Sequence, residues 1–271
     1  MKRIEREPNE AAVLTKFEIN NIPEHYREYY EKKRYNLFAS IQAFPLVWTC
    51  FMLLDKILLR EFEDCRTASG TEQMPPLLLY MNAHSKVRVA LELGFSTSPA
   101  EAFSIMRDAV ESAAFAHRLL LDPTLGKVWI EKNNGEPEAS MFNATFIQNR
   151  RAQLFGGIPE LYQFWGQFSN IGAHTTLDSL IQQFVIEETS THVGWRYNYT
   201  GAQNPRALTG SLFVILLAMR SIENLLFGDF RSRLHLDTSL MDMRARFEED
   251  KEACRKDLIE RYQMRPAGAT P

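Results

Sequence analysis

Two pairs of polar side chains in this sequence stand at spacings that could do chemistry: Arg107 with Glu111, and Asn170 with His174. The members of each pair are four residues apart, so on a helix they lie one turn apart and can meet. Asn170 and His174 offer hydrogen bonding and proton transfer near neutral pH. Arg107 and Glu111 offer an ion pair. On the rim of a helix it would contribute about 0–1 kcal/mol. Half-buried at the centre of a bundle, loss of one partner would cost about 3–5 kcal/mol. The four residues are the candidate catalytic set.

Other chemistries lack their motifs. The sequence has no G-x-x-x-x-G-K-S/T or G-x-G-x-x-G phosphate loop, no G-x-S-x-G elbow, and no H-E-x-x-H. The Glu-x-x-His pairs of metal-carboxylate bundles are missing as well. His25, His84, His117, His174, His192 and His235 never fall at metal-ligand spacing with one another. Neither a cofactor nor a metal site is expected.

The element that must position Arg107 and Glu111 is a helix over Ser98–Asp122. Ser98 is its expected N-cap, with Pro99 at the first helical position and Glu101 completing a capping box. Asp122-Pro123 ends it, since a residue before proline is driven out of the helical region. Phe103, Met106, Val110, Ala114, His117 and Leu121 share its apolar face, with Arg107, Glu111 and Arg118 on the rim. On that face His117 reads as a core histidine with its hydrogen bonds satisfied. Asn170 and His174 belong to a helix opened by Pro159-Glu160. Its apolar face is Leu161, Phe164, Trp165, Phe168 and Ile171, and its polar stripe is Gln163, Gln167, Asn170 and His174. That stripe either forms a site or faces solvent. Gly166 and Gly172 predict close approach of a neighbouring helix.

The fold class expected is mainly α, a multi-helix bundle with one inserted β-hairpin. Residues 1–22 read as a polar arm. Residues 23–228 read as the bundle, 229–264 as a charged C-terminal helix and 265–271 as a tail. A long helical pattern from Pro23 to about Arg66 must bend or break at Pro45. Further helices are expected over Pro75–Leu93 with Gly94 as C-cap, over Asp122 to about Lys132, and over Pro137–Phe155. LIQQFVIEE and HVGWRYNYT predict the hairpin at about 180–200, packed on a helix or on a partner. The apolar helix after Asn204-Pro205 is expected to be the most buried. In the last helix Phe247, Cys254, Leu258 and Tyr262 form a thin stripe.

With 271 residues, 45% of them hydrophobic, the chain can bury an ordinary core. A net charge of −3 argues against a broad nucleic-acid surface but leaves room for a local basic groove. Cys50, Cys65 and Cys254 are odd in number and widely spaced, which supports neither a disulfide framework nor a zinc site. The start, MKRIEREPNE, has no apolar signal region. The longest unbroken apolar runs fall short of the roughly 20 residues that span a bilayer. A cytoplasmic protein without a membrane partner is expected.

SNIGAH at 169–174, after a helical lead containing the R-x-x-x-E of Arg107 and Glu111, resembles the HEPN-like helical proteins of bacteria and phages. The similarity would cover about residues 75–228. In the HEPN ribonucleases an Arg-polar-x-x-x-His motif on one helix works without metal, usually across a dimer. The Arg stabilises the phosphorane charge, and the His moves the proton of the attacking 2′-hydroxyl. Asn170 and His174 match the polar and His positions, while Ser169 stands where the Arg belongs. Arg107, or Arg150 and Arg151, would have to supply it. The resemblance implies a binding or regulatory module in a defence or toxin–antitoxin setting, with RNA or a protein as partner and a homo-oligomer as the assembly. The alternatives are an endoribonuclease using His174 and a purely structural homo-oligomer.

Overall fold

The computed structural model describes residues 23–66, 74–173, 184–188, 193–197 and 204–262. Ten α-helices follow in order among them: α1 Glu24–Ala43, α2 Pro45–Arg66, α3 Met74–Phe95, α4 Pro99–Leu121, α5 Leu125–Glu131, α6 Glu136–Phe142, α7 Arg150–Gln153, α8 Pro159–Phe168, α9 Pro205–Phe230 and α10 Thr238–Tyr262. Five-residue π-helical turns at Asn143–Ile147 and Ser169–Ala173 follow α6 and α8.

The expected fold class needs correction. Among the described residues the body is helical, and no sheet forms one of its layers. Within the span expected to hold an inserted hairpin, the described residues form two five-residue strands, Phe184–Glu188 and Val193–Tyr197. They make a two-stranded antiparallel ladder, Phe184 opposite Tyr197 and Glu188 opposite Val193, whose extensive packing among the described residues is with itself. The rest of 180–200 lies outside the described residues, as do the arm at 1–22 and the tail at 265–271.

Helix α4 is the hub. Its whole length packs along α3, and it also meets α8, α9 and the second π-helical turn. Phe103, Met106, Val110 and Ala114 are buried as the stripe predicts, but Ala102, Ala109, Ala113 and Ala116 are buried too. The small residues let α3 and α9 approach from other sides, which makes α4 central rather than one-sided. Leu121, expected on the stripe, is 60% exposed at the helix end.

The junction between α3 and α4 differs from the expected caps. Gly94 lies inside α3, and a Cβ there would meet Leu212 Cδ2 at 3.0 Å. Its role is close packing against α9. The left-handed residue is Thr97, with φ 68°. The N–H of Thr97 donates to Gly94 O and the N–H of Ser98 to Leu93 O, the two bonds of a Schellman ending. Ser98 then starts α4, but its hydroxyl makes no capping bond. Asn36 on α1 holds the strained threonine, donating to Thr97 Oγ1 at 3.0 Å.

Pro45 divides α1 from α2, which meet at 97°. The helix expected over Pro137–Phe155 is broken instead by the π-helical turn. Phe142 and Phe146 both pack on Phe115 there, with centroids 5.7 and 5.2 Å away. Gly166 has nothing within 4 Å of a built Cβ, so close approach does not explain it. The charged last helix starts at Thr238, not at 229; Asp229 and Phe230 close α9. Helix α9, 26 residues, is long and apolar enough to cross a membrane, and half of that stretch is buried inside the body.

Candidate functional site

Helix α4 presents Arg107 and Glu111 one turn apart, but they do not form an ion pair. The carboxylate of Glu111 pairs with Arg150 at 3.3 Å. Arg150 comes from α7, a four-residue helix too short to be stable alone. A reciprocal cap holds it: Asn149 Oδ1 accepts from the N–H of Ala152 at 3.4 Å, and Gln153 Oε1 accepts from the N–H of Asn149 at 2.8 Å. Gln153 Nε2 also donates to Ala144 O at 2.5 Å, tying α7 to the preceding π-helical turn.

Both guanidiniums lie against one indole. The Cζ of Arg107 is 5.8 Å from the Trp165 ring centre and that of Arg150 is 5.1 Å from it. The row continues outward: Tyr162 lies nearly parallel to Trp165, centroids 5.9 Å apart and planes 13° apart, and Arg151 stands 5.9 Å from Tyr162. Three arginines thus flank two stacked aromatics on one edge of the bundle. A cation over an aromatic face contributes about 0.5–2 kcal/mol, depending on desolvation.

The cluster is under-satisfied. Arg107 Nε, Arg150 Nε, Trp165 Nε1 and Ser169 Oγ are buried without a hydrogen-bond partner. Arg107 has no acidic partner among the described residues. Each such group costs about 1–3 kcal/mol while unpaired, so the indole N–H, the two guanidiniums against that ring and the Ser169 hydroxyl favour an acceptor-rich ligand. Beside them a cavity of about 560 Å³ is lined by Arg151, Phe155, Gly156, Gly157, Tyr162 and Gln163. Gly157 has φ +86°, a conformation that favours glycine, and it turns the chain at the cavity wall.

Asn170 is exposed while its neighbour Ser169 is buried. Gln163 and Gln167 are exposed too, so the polar stripe faces solvent as far as it is described. His174 lies outside the described residues. Of the four predicted residues, Arg107 and Glu111 fall in the cluster and Asn170 does not point into it by burial. Arg150 was a named substitute for the missing Arg of the motif; Trp165 entered only as an apolar-face residue. Its site role had a faint signal, an indole one turn before Ser169.

The other buried polar groups tie helices together. His117 Nδ1 lies 2.9 Å from Asp229 Oδ1, and the Tyr80 hydroxyl donates to Asp229 Oδ2 at 2.5 Å. Burial, and then Asp229, raise the Tyr80 hydroxyl well above its ordinary pKa. His84 and Arg88 both meet Asp55, at 2.7 Å each. Burial of Asp55 opposes its ionisation, yet the hydrogen bonds of Arg88 and His84 hold its carboxyl well below the usual range. Fully buried Glu61 and Glu223 share Arg244, and Arg220 pairs with Glu223 and Glu248. Burial raises Glu61 to about 8 against the pull of Arg244. No group of three or more potential metal ligands occurs among the described residues.

Compared with known proteins, the chain matches no family model, no curated protein and no solved structure.

Proposed function

We propose that the protein is a HEPN-like binding module that takes a phosphate-bearing aromatic ligand, single-stranded RNA, on the edge formed by α7 and α8. The single observation that carries this reading is the convergence of Arg107 and Arg150 on Trp165 with donors left unpaired. Guanidiniums suit phosphate oxygens through forked hydrogen bonds. Aromatic faces suit bases, at about 1–3 kcal/mol per stacked base. Tyr162 and the cavity beside it extend the stacking surface beyond the arginines. A local site of this kind is compatible with a net negative chain, because only the edge must be basic.

A rival reading is a metal-independent endoribonuclease with His174 as proton carrier, Asn170 orienting the phosphate and Arg107 completing the charge. In its favour, Asn170 stands open to solvent at the start of the matching motif.

Fluorescence anisotropy with a labelled single-stranded RNA tests the leading reading. Wild-type protein should bind in a salt-dependent way, and the Arg107→Gln, Arg150→Gln double variant should bind at least about tenfold more weakly, with a shallower salt slope. No binding by the wild type, or equal binding by the variant, ends it. Running the same RNA on a gel after incubation in EDTA, with His174→Ala alongside, decides the rival: cleavage that disappears in the variant establishes it.

A further inference from the structure

A second cleft, also lined by Glu111, has a different chemistry. It measures about 310 Å³ and lies between α3, α4 and α5. That is the small end of the range for small-molecule sites, roughly 300–1,000 Å³. Leu79, Phe115 and Trp129 supply its apolar wall, the first two almost fully buried.

The charges at its rim do not cancel. Lys86 is paired with Asp108 at 3.3 Å, and Glu111 is held by Arg150. Lys132 is left over. It is half-buried and has no acidic partner among the described residues. Its Nζ rests 4.8 Å from the Trp129 ring centre and 5.2 Å from that of Phe142. Aromatic faces attract an ammonium but take none of its three N–H bonds fully. The polar wall adds a donor. Asn82 Nδ2 donates to Ser112 Oγ at 2.9 Å, which leaves the serine's own proton for an acceptor in the cleft.

We infer that this cleft binds a small organic monocarboxylate, its carboxylate on Lys132 and its apolar body on Leu79, Phe115 and Trp129. The inference is independent of the RNA reading. The lining selects against other ligands. A cation would meet the uncompensated ammonium. A dianion such as a phosphate monoester would bring its second charge near Asp108 and Glu111. A neutral ligand would leave Lys132 without an anion. A metal ion would find both carboxylates already paired.

Phenylacetate, with its neutral isostere phenylacetamide as control, is a probe of this chemistry. Isothermal titration of the full chain should show one site for phenylacetate, with the amide at least about tenfold weaker. Lys132→Gln should weaken phenylacetate by about ten- to a hundredfold, the range for a hydrogen bond to a charged group, and leave the amide unchanged. Trp129→Leu should weaken both ligands alike, and thermal melts of both variants report that they fold. Absence of phenylacetate binding at millimolar concentration overturns the inference. So does equal binding of acid and amide, or a Lys132→Gln affinity matching the wild type.

Discussion

Glu61 is fully buried on α2, where Arg244 donates to its Oε1 at 3.1 Å and its Oε2 has no partner. Burial lifts its pKa from an ordinary 4.5 to about 8, more than Arg244 pulls it down. The sign of the consequence is fixed. Between those two values the folded chain holds a proton that the unfolded chain has released, so stability falls as pH rises across that window. The slope contributed is at most about 1.4 kcal/mol per pH unit. Glu61→Gln keeps an acceptor for Arg244 and cannot titrate. Urea unfolding at pH 5, 6.5 and 8 should show a decline in the wild type that is largely absent in the variant. Parallel curves would place the proton elsewhere. Nothing in the sequence announced this group: an i,i+4 rule reads neighbours on one helix, while the partner of Glu61 is 183 positions away. The same limit explains the site. Spacing suggested Arg107 with Glu111, but Arg150, brought over from α7, took the carboxylate and left Arg107 on Trp165.

At the scale of elements, proline punctuation was legible and glycine was not. Pro45 separates two helices, and Pro99 and Pro123 bracket α4, because a missing N–H and a restricted preceding residue act whatever surrounds them. Glycine permits several roles, and only the neighbours decide among them. Gly94 looked like a cap and is a contact point for Leu212; Gly166 looked like a contact point and faces open space. The break between α6 and α7 was invisible because the ring that Phe142 and Phe146 pack on there, Phe115, belongs to another helix. The two glycines give opposite expectations for alanine. Gly166→Ala should raise stability by about 0.5–1 kcal/mol, from helix propensity and a less flexible unfolded chain. In Gly94→Ala that gain is offset by pushing Leu212 aside, an overpacking cost of about 1–3 kcal/mol. Chemical denaturation midpoints should therefore rank Gly166→Ala above the wild type and Gly94→Ala at or below it. The reverse order would mean that α3 and α9 do not meet at Gly94.

At the scale of the whole molecule, the charged last helix is a structural wall. Its thin stripe of Phe247, Cys254, Leu258 and Tyr262 left two places for it, on the body or on a second subunit. Yet Leu240, Phe247, Cys254 and Leu258 are all buried, and the helix lies along α2. Each such apolar side chain contributes about 1.5–3 kcal/mol when buried. Arg244, from the same helix, pairs with Glu61 and Glu223, which are fully buried. Removing the helix takes away the hydrogen-bond partner of Glu61 and one of the two arginine partners of Glu223, which keeps Arg220, and so adds to that loss. Together these losses are comparable to the entire margin of a folded domain, about 5–15 kcal/mol. A chain ending at Asp237 should therefore lose its cooperative thermal transition instead of changing its state of assembly. Circular dichroism melts with light scattering on the same samples separate the two outcomes. A sharp transition near the wild-type temperature, with a smaller oligomer in solution, would show that α10 serves a second subunit and that the α2–α9 body stands without it.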